Sequence, residues 1–395
     1  MALPLAYHWR NLFVRKTTTV LTVCVVAAVV ATFAWMFSFT VALRDTLSVA
    51  GDPLKLIVIR GGSTSEAQSA IAIPDFNKLS QLTQIAVDST SGRPLVSPET
   101  LSQVSLGRKS DGGRTVANVA VRGVLDIARQ VHTRVKISKG RWFDSGAREI
   151  VVGEAAARQF AGLDIGDSLE LGFGGDRKYA IVGHFIAAGG PLESEIWGYL
   201  PSLLNAYNRS MYSSAALRLQ PDSDPRAVIA EIEGPAIQLG AMTEATYWAR
   251  QSKRISGYLV VAYALVSVMF LAAIFAVAIT MFSAVAGRTR EVGMLRTLGF
   301  SRTAIMGGFM LEAVMLCIIG AIVGCAACAG WLSVFGGAKD MYGTSTFTSL
   351  AFDIHLTPVT IMGSLGCVAF VGLIGALAPA WRASRAKVIN VLREG

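Results

Sequence analysis

Four stretches of the chain carry no Asp, Glu, Lys or Arg: Thr17 to Leu43 (27 residues), Ile255 to Gly287 (33), Ala313 to Ala338 (26) and Leu356 to Trp381 (26). About 20 apolar residues carry a helix across the hydrocarbon core of a bilayer, so each stretch is long enough to span. The first follows Arg10, Arg15 and Lys16, as the core of a signal peptide would. Such a core runs only about 7–15 residues, and the length found here predicts a retained anchor instead. Ahead of it, Leu5, Trp9, Leu12 and Phe13 share one helical face, which predicts a short amphipathic helix lying on the membrane surface.

Between the first two spans the pattern changes. Residues 55–60 (KLIVIR) make a short apolar run that predicts a buried strand. Leu169, Leu171 and Phe173 alternate with smaller or polar neighbours, as do Tyr179, Ile181, Gly183 and Phe185, and Leu217 with Leu219. Residues 154–160 read as helix, and Asp224 with Pro225 reads as an N-cap and first turn of a helix ending near Glu233. Residues 63–69 and 89–98 read as loops. The mixture predicts an α+β domain large enough for its own core, with room for two subdomains. Tyr247, Trp248 and Tyr258 cluster where the second span should meet the outer interface, a depth aromatic side chains favour. Thr357 and Pro358 read as the cap and first residue of the last span.

The predicted fold is thus a membrane α-helical protein with four transmembrane helices and a large extracytoplasmic α+β domain inserted between helices 1 and 2. Its parts are an amphipathic helix (1–16), helix 1 (17–43), the outer domain (44–254), helix 2 (255–287), a loop (288–302), helix 3 (303–338), a short outer loop (339–356), helix 4 (357–381) and a tail (382–395).

Composition agrees: 52% of residues are apolar and 16% charged, against about 25% charged in soluble domains. Orientation follows from Lys and Arg in the short flanks. Arg10, Arg15 and Lys16 precede the first span; Arg288, Arg290, Arg296 and Arg302 face a lone Glu291 in the loop; Arg382, Arg385, Lys387 and Arg393 face Glu394 in the tail. The loop 339–356 has only Lys339 with Asp340 and Asp353. Both termini and the loop 288–302 are therefore expected in the cytoplasm of a multi-pass inner-membrane protein, with residues 44–254 periplasmic or extracellular. That outer segment is nearly neutral, with 24 basic and 22 acidic residues. The net charge of +9 reflects flanks facing anionic lipid, and no nucleic-acid partner is expected. All five cysteines, Cys24, Cys317, Cys325, Cys328 and Cys367, fall within spans, so no disulfide framework is expected outside.

Residues 288–302 (RTREVGMLRTLGFSR) predict a short basic helix in which Val292 pairs with Leu295 and Met294 with Leu298; Gly299 ends it and Ser301 caps the next helix. A compact amphipathic helix between two long spans is a good handle for a partner protein, though the pattern alone is met equally by a loop that only sets topology. Gly320 and Gly324 form a G-x-x-x-G in helix 3, a face along which backbones can approach closely. Glu312 lies just before the uncharged run and is expected near the cytoplasmic interface. His8, His132, His184 and His355 form no metal-binding spacing, no catalytic motif is present, and the chain has no Gly-Lys dipeptide, hence no Walker A loop. No metal, cofactor or catalytic residue is expected on this chain, and nucleotide hydrolysis must occur on another.

Several segments resemble one family. The basic entry Trp9 to Thr22, Lys139 to Phe143, Glu149 to Ala157, Ile165 to Leu169 and Tyr179 to Gly183 are similar to its N-terminal half. Arg290 to Gly299, Leu311 to Ala313, Pro379 to Arg385 and Val391 to Arg393 are similar to its C-terminal half. Together they resemble the MacB/FtsX superfamily of ABC-transporter permease subunits of the mechanotransmission (type VII) kind, with a MacB-like periplasmic core domain and an FtsX-like transmembrane domain. Lys387 and Val388 depart from it, standing where the family commonly has Asp-Pro.

The resemblance implies a permease dimer docked on two copies of an ABC ATP-binding subunit, which hold ATP and Mg²⁺, with a periplasmic adaptor and outer-membrane channel in some systems. It implies ATPase coupling through Arg288, Arg290, Glu291, Met294, Leu295, Arg296, Leu298, Gly299 and Arg302. ATP-driven motion would reach the outer domain and drive export or extraction of a lipid, lipoprotein, drug or peptide. An alternative is an FtsX-like membrane regulator that passes ATPase motion to a partner such as a cell-wall hydrolase. A translocating pore would need polar residues facing a lumen, and the spans are nearly bare of them apart from Glu312. An intramembrane enzyme would need a paired nucleophile and base, which neither Glu312 nor His355 has.

Overall fold

The computed structural model describes residues 16–49, 51–109, 112–174, 177–334, 354 and 356–385. All but the last residue of the expected amphipathic helix (1–16), His8, His355, most of the loop 339–356 and the tail beyond 385 lie outside the described residues. Helices are α1 (Lys16–Val49), α2 (Ile73–Leu79), α3 (Ala128–Val131), α4 (Glu154–Gln159), α5 (Leu200–Ala206), α6 (Pro225–Glu233), α7 (Glu244–Ala286), α8 (Thr289–Thr297), α9 (Arg302–Val334) and α10 (Pro358–Ser384). Strands are β1 (Lys55–Arg60), β2 (Val96–Gly107), β3 (Val116–Val124), β4 (Lys136–Gly140), β5 (Glu149–Gly153), β6 (Ser168–Leu171), β7 (Arg177–Ile186), β8 (Glu195–Tyr199), β9 (Ser214–Arg218) and β10 (Leu239–Thr243). The chain divides into two compact units: Met1–Val41, Gly257–Gly337 and Ile354–Gly395 form one, and Ala42–Ser256 with Ala338–Asp353 the other.

In the first unit four helical segments are long and apolar enough to cross a membrane: Thr19–Ala42, Val260–Ala286, Arg302–Val334 and Pro358–Ser384. Their shared core draws Val26 and Val30 from α1, Val277 and Met281 from α7, Ala313 and Leu316 from α9, and Val368 and Ala376 from α10. Glycines set the spacing. A Cβ on Gly320 would stand 2.7 Å from the Val26 side chain, and one on Gly324 would stand 2.5 Å from the Ala27 carbonyl, so the G-x-x-x-G face lies against α1 of the same chain. Gly372 and Gly375 make the same close approach from α10, toward Cys317 of α9 and Ile274 of α7. Hydroxyls join helices too: Thr22 bonds Thr280, and Tyr263 donates to Thr40 at 3.0 Å. The expected cap of α10 is present, with the Thr357 side chain accepting from the Thr360 N–H (3.2 Å).

In the second unit one sheet runs β10-β1-β9-β2-β3-β8-β5-β7-β4, with β6 on β7. Strand β2 joins two halves. Val96–Glu99 pair antiparallel with β9, and Thr100–Gly107 pair antiparallel with β3. Each half has its own core. Leu56, Val58, Ile71, Leu79, Val228 and Ile232 fill one; Val121, Ile150, Phe160, Tyr179, Ile181 and Ile196 fill the other. The strand expected at 55–60 and the helix from 225 to 233 are present, and Asp224 accepts from the Arg226 N–H at 3.0 Å. The alternation at 169–173 gives β6, which stops at Leu171 before Phe173, and that at 179–185 lies within β7. Leu217 lies in β9 with Leu219 just beyond it, and the helix expected over 154–160 ends at Gln159.

Three expectations need correction. The segment 63–69 contains a 3₁₀ turn at Glu66–Gln68 with Glu66 buried, and the segment 89–98 ends inside β2. Tyr247 and Trp248 do not form an exposed aromatic belt. They sit in the first turns of α7, which begins at Glu244, and both are buried within the outer unit, packed edge to face at 5.1 Å.

Candidate functional site

The turn between α7 and α8 is built around Arg288. Its N–H donates to the Val285 carbonyl (3.1 Å) and its carbonyl accepts from the Val292 N–H (3.0 Å). Its side chain turns inward to Glu312 of α9: Nη1 donates to Oε2 at 2.9 Å and Nη2 to Oε1 at 3.2 Å. Both residues are buried. The fork-on-carboxylate geometry fixes orientation as well as distance. Glu312 is therefore no free interfacial acid, and Arg288 is withdrawn from any surface a partner could reach.

Helix α8 ends as Gly299 permits, with φ +90. The Gly299 N–H bonds to the Arg296 carbonyl (3.2 Å) and the Phe300 N–H to the Leu295 carbonyl (3.1 Å), satisfying the last carbonyls of the helix. Ser301 then caps α9 by accepting from the Ala304 N–H (3.1 Å). The two apolar pairs of α8 separate by face. Val292 is buried, and Leu295 and Phe300 pack against the bundle core. Met294 and Leu298 are 56% and 75% exposed. Arg290, Glu291 and Arg302 are exposed and Arg296 is half-buried. Of the nine residues expected to couple to an ATPase, Arg290, Glu291, Met294, Leu298, Gly299 and Arg302 line the outward side, Arg288 and Leu295 serve the bundle, and Arg296 is half-buried.

A second constellation, which the sequence reading missed, lies where β2 passes between the half-sheets. Arg122 of β3 is 2% exposed. It forks onto Glu195 of β8 (2.7 and 2.9 Å), onto Glu66 (2.9 and 3.1 Å) and reaches Glu99 of β2 at 2.6 Å. Ser214 of β9 donates to Glu66 (2.6 Å) and the Trp197 indole to Glu195 (2.8 Å). The chain of contacts continues through His132, whose Nε2 is 2.6 Å from Glu99 Oε1, to Lys55 at its Nδ1, and from Lys55 to Glu244 of α7 at 2.8 Å. An ammonium can only donate, so Nδ1 accepts and Nε2–H donates to Glu99. Removing one member of such a buried pair costs about 3–5 kcal/mol, because the other charge is left uncompensated. Glu244, Tyr247, Trp248 and Gln251 are all buried here, and Gln251 donates to the Thr64 carbonyl (3.3 Å), so the first turns of α7 belong to the core of the outer unit. One signal could have exposed the cluster: Arg122 interrupts the apolar run of residues 119–124 (VAVRGV).

Comparison with known proteins places the chain. A family profile described as MacB-like periplasmic core domain matches residues 17–234, and one described as FtsX-like permease C-terminal matches residues 263–388. The chain belongs to the MacB/FtsX superfamily of permeases. It is a multi-pass membrane protein of ABC-transporter permease type, with a periplasmic core domain between its first two spans. The macrolide export ATP-binding/permease protein MacB of Neisseria gonorrhoeae is 28% identical over 114 residues, covering 29% of this chain and 16% of that protein. The MacB of Rhodopirellula baltica is 33% identical over 113 residues, covering 29% and 15%. The matched segments thus span about a sixth of those relatives' length. Among solved structures, the extracellular domain of the noncanonic ABC-type transporter YknZ from Gram-positive bacteria aligns at 13% identity and TM-score 0.33, over 48% of this chain and 99% of that one.

Proposed function

We propose that the chain is the non-catalytic permease subunit of an ABC transporter and passes ATP-driven movement of a separate ATP-binding subunit to its outer domain. One observation carries the reading: α8 turns Val292 and Leu295 into the bundle and leaves Met294 and Leu298 exposed beside Arg290 and Arg302. An exposed apolar pair on a polar helix suits insertion into a groove of a partner protein. In this reading the loop 288–302 faces the cytoplasm, ATP and Mg²⁺ are held by the partner, and two permease chains meet two ATP-binding subunits. The outer domain then performs export or extraction of a lipid, lipoprotein, drug or peptide.

The test is the double variant Met294→Asp with Leu298→Asp in the full-length chain. Leu295 is avoided because it packs into the bundle core. Co-purification of the ATP-binding subunit from the native membrane should fall about tenfold or more, each decade being 1.4 kcal/mol of lost contact, while the protease-resistant outer domain is unchanged. Undiminished co-purification would overturn the assignment.

A further inference from the structure

We infer that Arg288 and Glu312 form a positioning joint that carries movement of α8 into α9, an inference resting on α8 being the docking element. Arg288 is tied to three helices at once. Its N–H holds the Val285 carbonyl at the end of α7, its carbonyl holds the Val292 N–H at the start of α8, and its guanidinium grips Glu312, ten residues inside α9. Arg290, two residues on, is exposed, whereas Arg288 is buried. Apolar contacts along the same seam, such as Val292 and Leu295 against the bundle, resist separation but allow sliding. A two-pronged ion pair shielded from water resists both. The planar fork fixes the angle between the two helices, and opening the pair would leave two buried charges apart. A push on the outward face of α8 must therefore move α9 with it. Lysine at position 288 would keep the charge but reduce the fork to a single point.

The experiment uses the full-length chain in lipid nanodiscs, with the ATP-binding subunit that co-purifies from its native membrane. The variants are Arg288→Lys, Glu312→Gln and the exchanged pair Arg288→Glu with Glu312→Arg. One readout is hydrogen exchange of residues 289–297 in the chain alone. The other is the nucleotide-dependent change in exchange of the outer domain. In the single variants the ATP-binding subunit should still bind, since Met294 and Leu298 are untouched. Residues 289–297 should exchange about tenfold faster, and the nucleotide-dependent signal should fall about tenfold, within the usual range of coupling between sites. The exchanged pair should restore both. A merely structural role would lower stability without removing the signal from the folded Arg288→Lys chain. An unchanged signal in Arg288→Lys and Glu312→Gln overturns the joint, and so does failure of the exchanged pair to restore what the single changes remove. If the unmodified chain captures no ATP-binding subunit, the docking reading fails. The exchange of residues 289–297 in the chain alone then still decides the joint, upheld by opening in the single variants and closure in the exchanged pair, and overturned otherwise.

Discussion

Three carboxylates withdrawn from water around one guanidinium make Arg122 the most heavily committed side chain of the outer unit. Burial pushes the Glu66 carboxyl up, but the Arg122 guanidinium and the hydrogen bonds around it hold it below the ordinary value of 4.5. The same contest at Glu99 is decided by His132 and Arg122, again downward. Carboxyls that bind protons more weakly when folded than when unfolded contribute stability above their unfolded pKa. That stability is lost as pH falls below it, because the unfolded chain then takes up the protons. Resistance of the outer domain to urea should therefore hold above about pH 5 and decline from about pH 4 downward. Fluorescence of Trp197, whose indole bonds Glu195, is the probe. A midpoint that stays constant down to about pH 3 would contradict the account of how these acids are held.

At the scale of the helix, two glycines of one motif differ in what they face. A methyl group on Gly320 would meet Val26 Cγ1 at 2.7 Å and Cβ at 2.8 Å; one on Gly324 would meet the Ala27 carbonyl oxygen at 2.5 Å and Val30 Cβ at 2.8 Å, so both need the helices to part and Gly324 needs the larger shift, against backbone. Gly324→Ala should lower the thermal midpoint of the full chain in detergent more than Gly320→Ala, by a cost of about 1–3 kcal/mol for a forced backbone shift. Equal effects would mean the helices pack less closely than described. The glycine pair itself was legible, since a small-residue face needs only the spacing, but its partner was not, because helix 1 lies some 300 positions away in sequence. Spans were legible because charge is absent from them over long runs. Caps such as Asp224, Ser301 and Thr357 were legible because their chemistry is local. Helix α8 was legible as a helix but not by face: Val292 with Leu295 and Met294 with Leu298 are equally apolar pairs, and only packing decides which turns inward. Strands β2 and β3 escaped because Glu99 and Arg122 break the apolar pattern that marks a buried strand, and the partners that make their burial tolerable come from Glu66 and Glu195. The burial and pairing of Glu312 escaped for the same reason, its counter-charge lying 24 residues back at Arg288.

For the molecule as a whole, the element that matters most is α7. It is a single helix of 43 residues, about 64 Å at 1.5 Å per residue, roughly twice the hydrocarbon core of a bilayer. Its first turns are held among the side chains of the outer unit through Glu244, Tyr247 and Gln251, and its last turn hands over to Arg288. In the proposed function, displacement passes along α7 only while its hydrogen-bond ladder is intact. Proline at position 256, between the outer turns and the apolar segment that starts at Val260, removes one ladder bond and kinks the helix at a cost of about 3 kcal/mol. In Ser256→Pro the outer domain should keep its Trp197 fluorescence and the ATP-binding subunit should still co-purify. The nucleotide-dependent change in exchange of the outer domain should nonetheless disappear, with Ser256→Ala behaving as the unmodified chain. A proline variant that transmits as well as the alanine one would show that movement reaches the outer domain by another route, with α1 (Lys16–Val49) the next element to break.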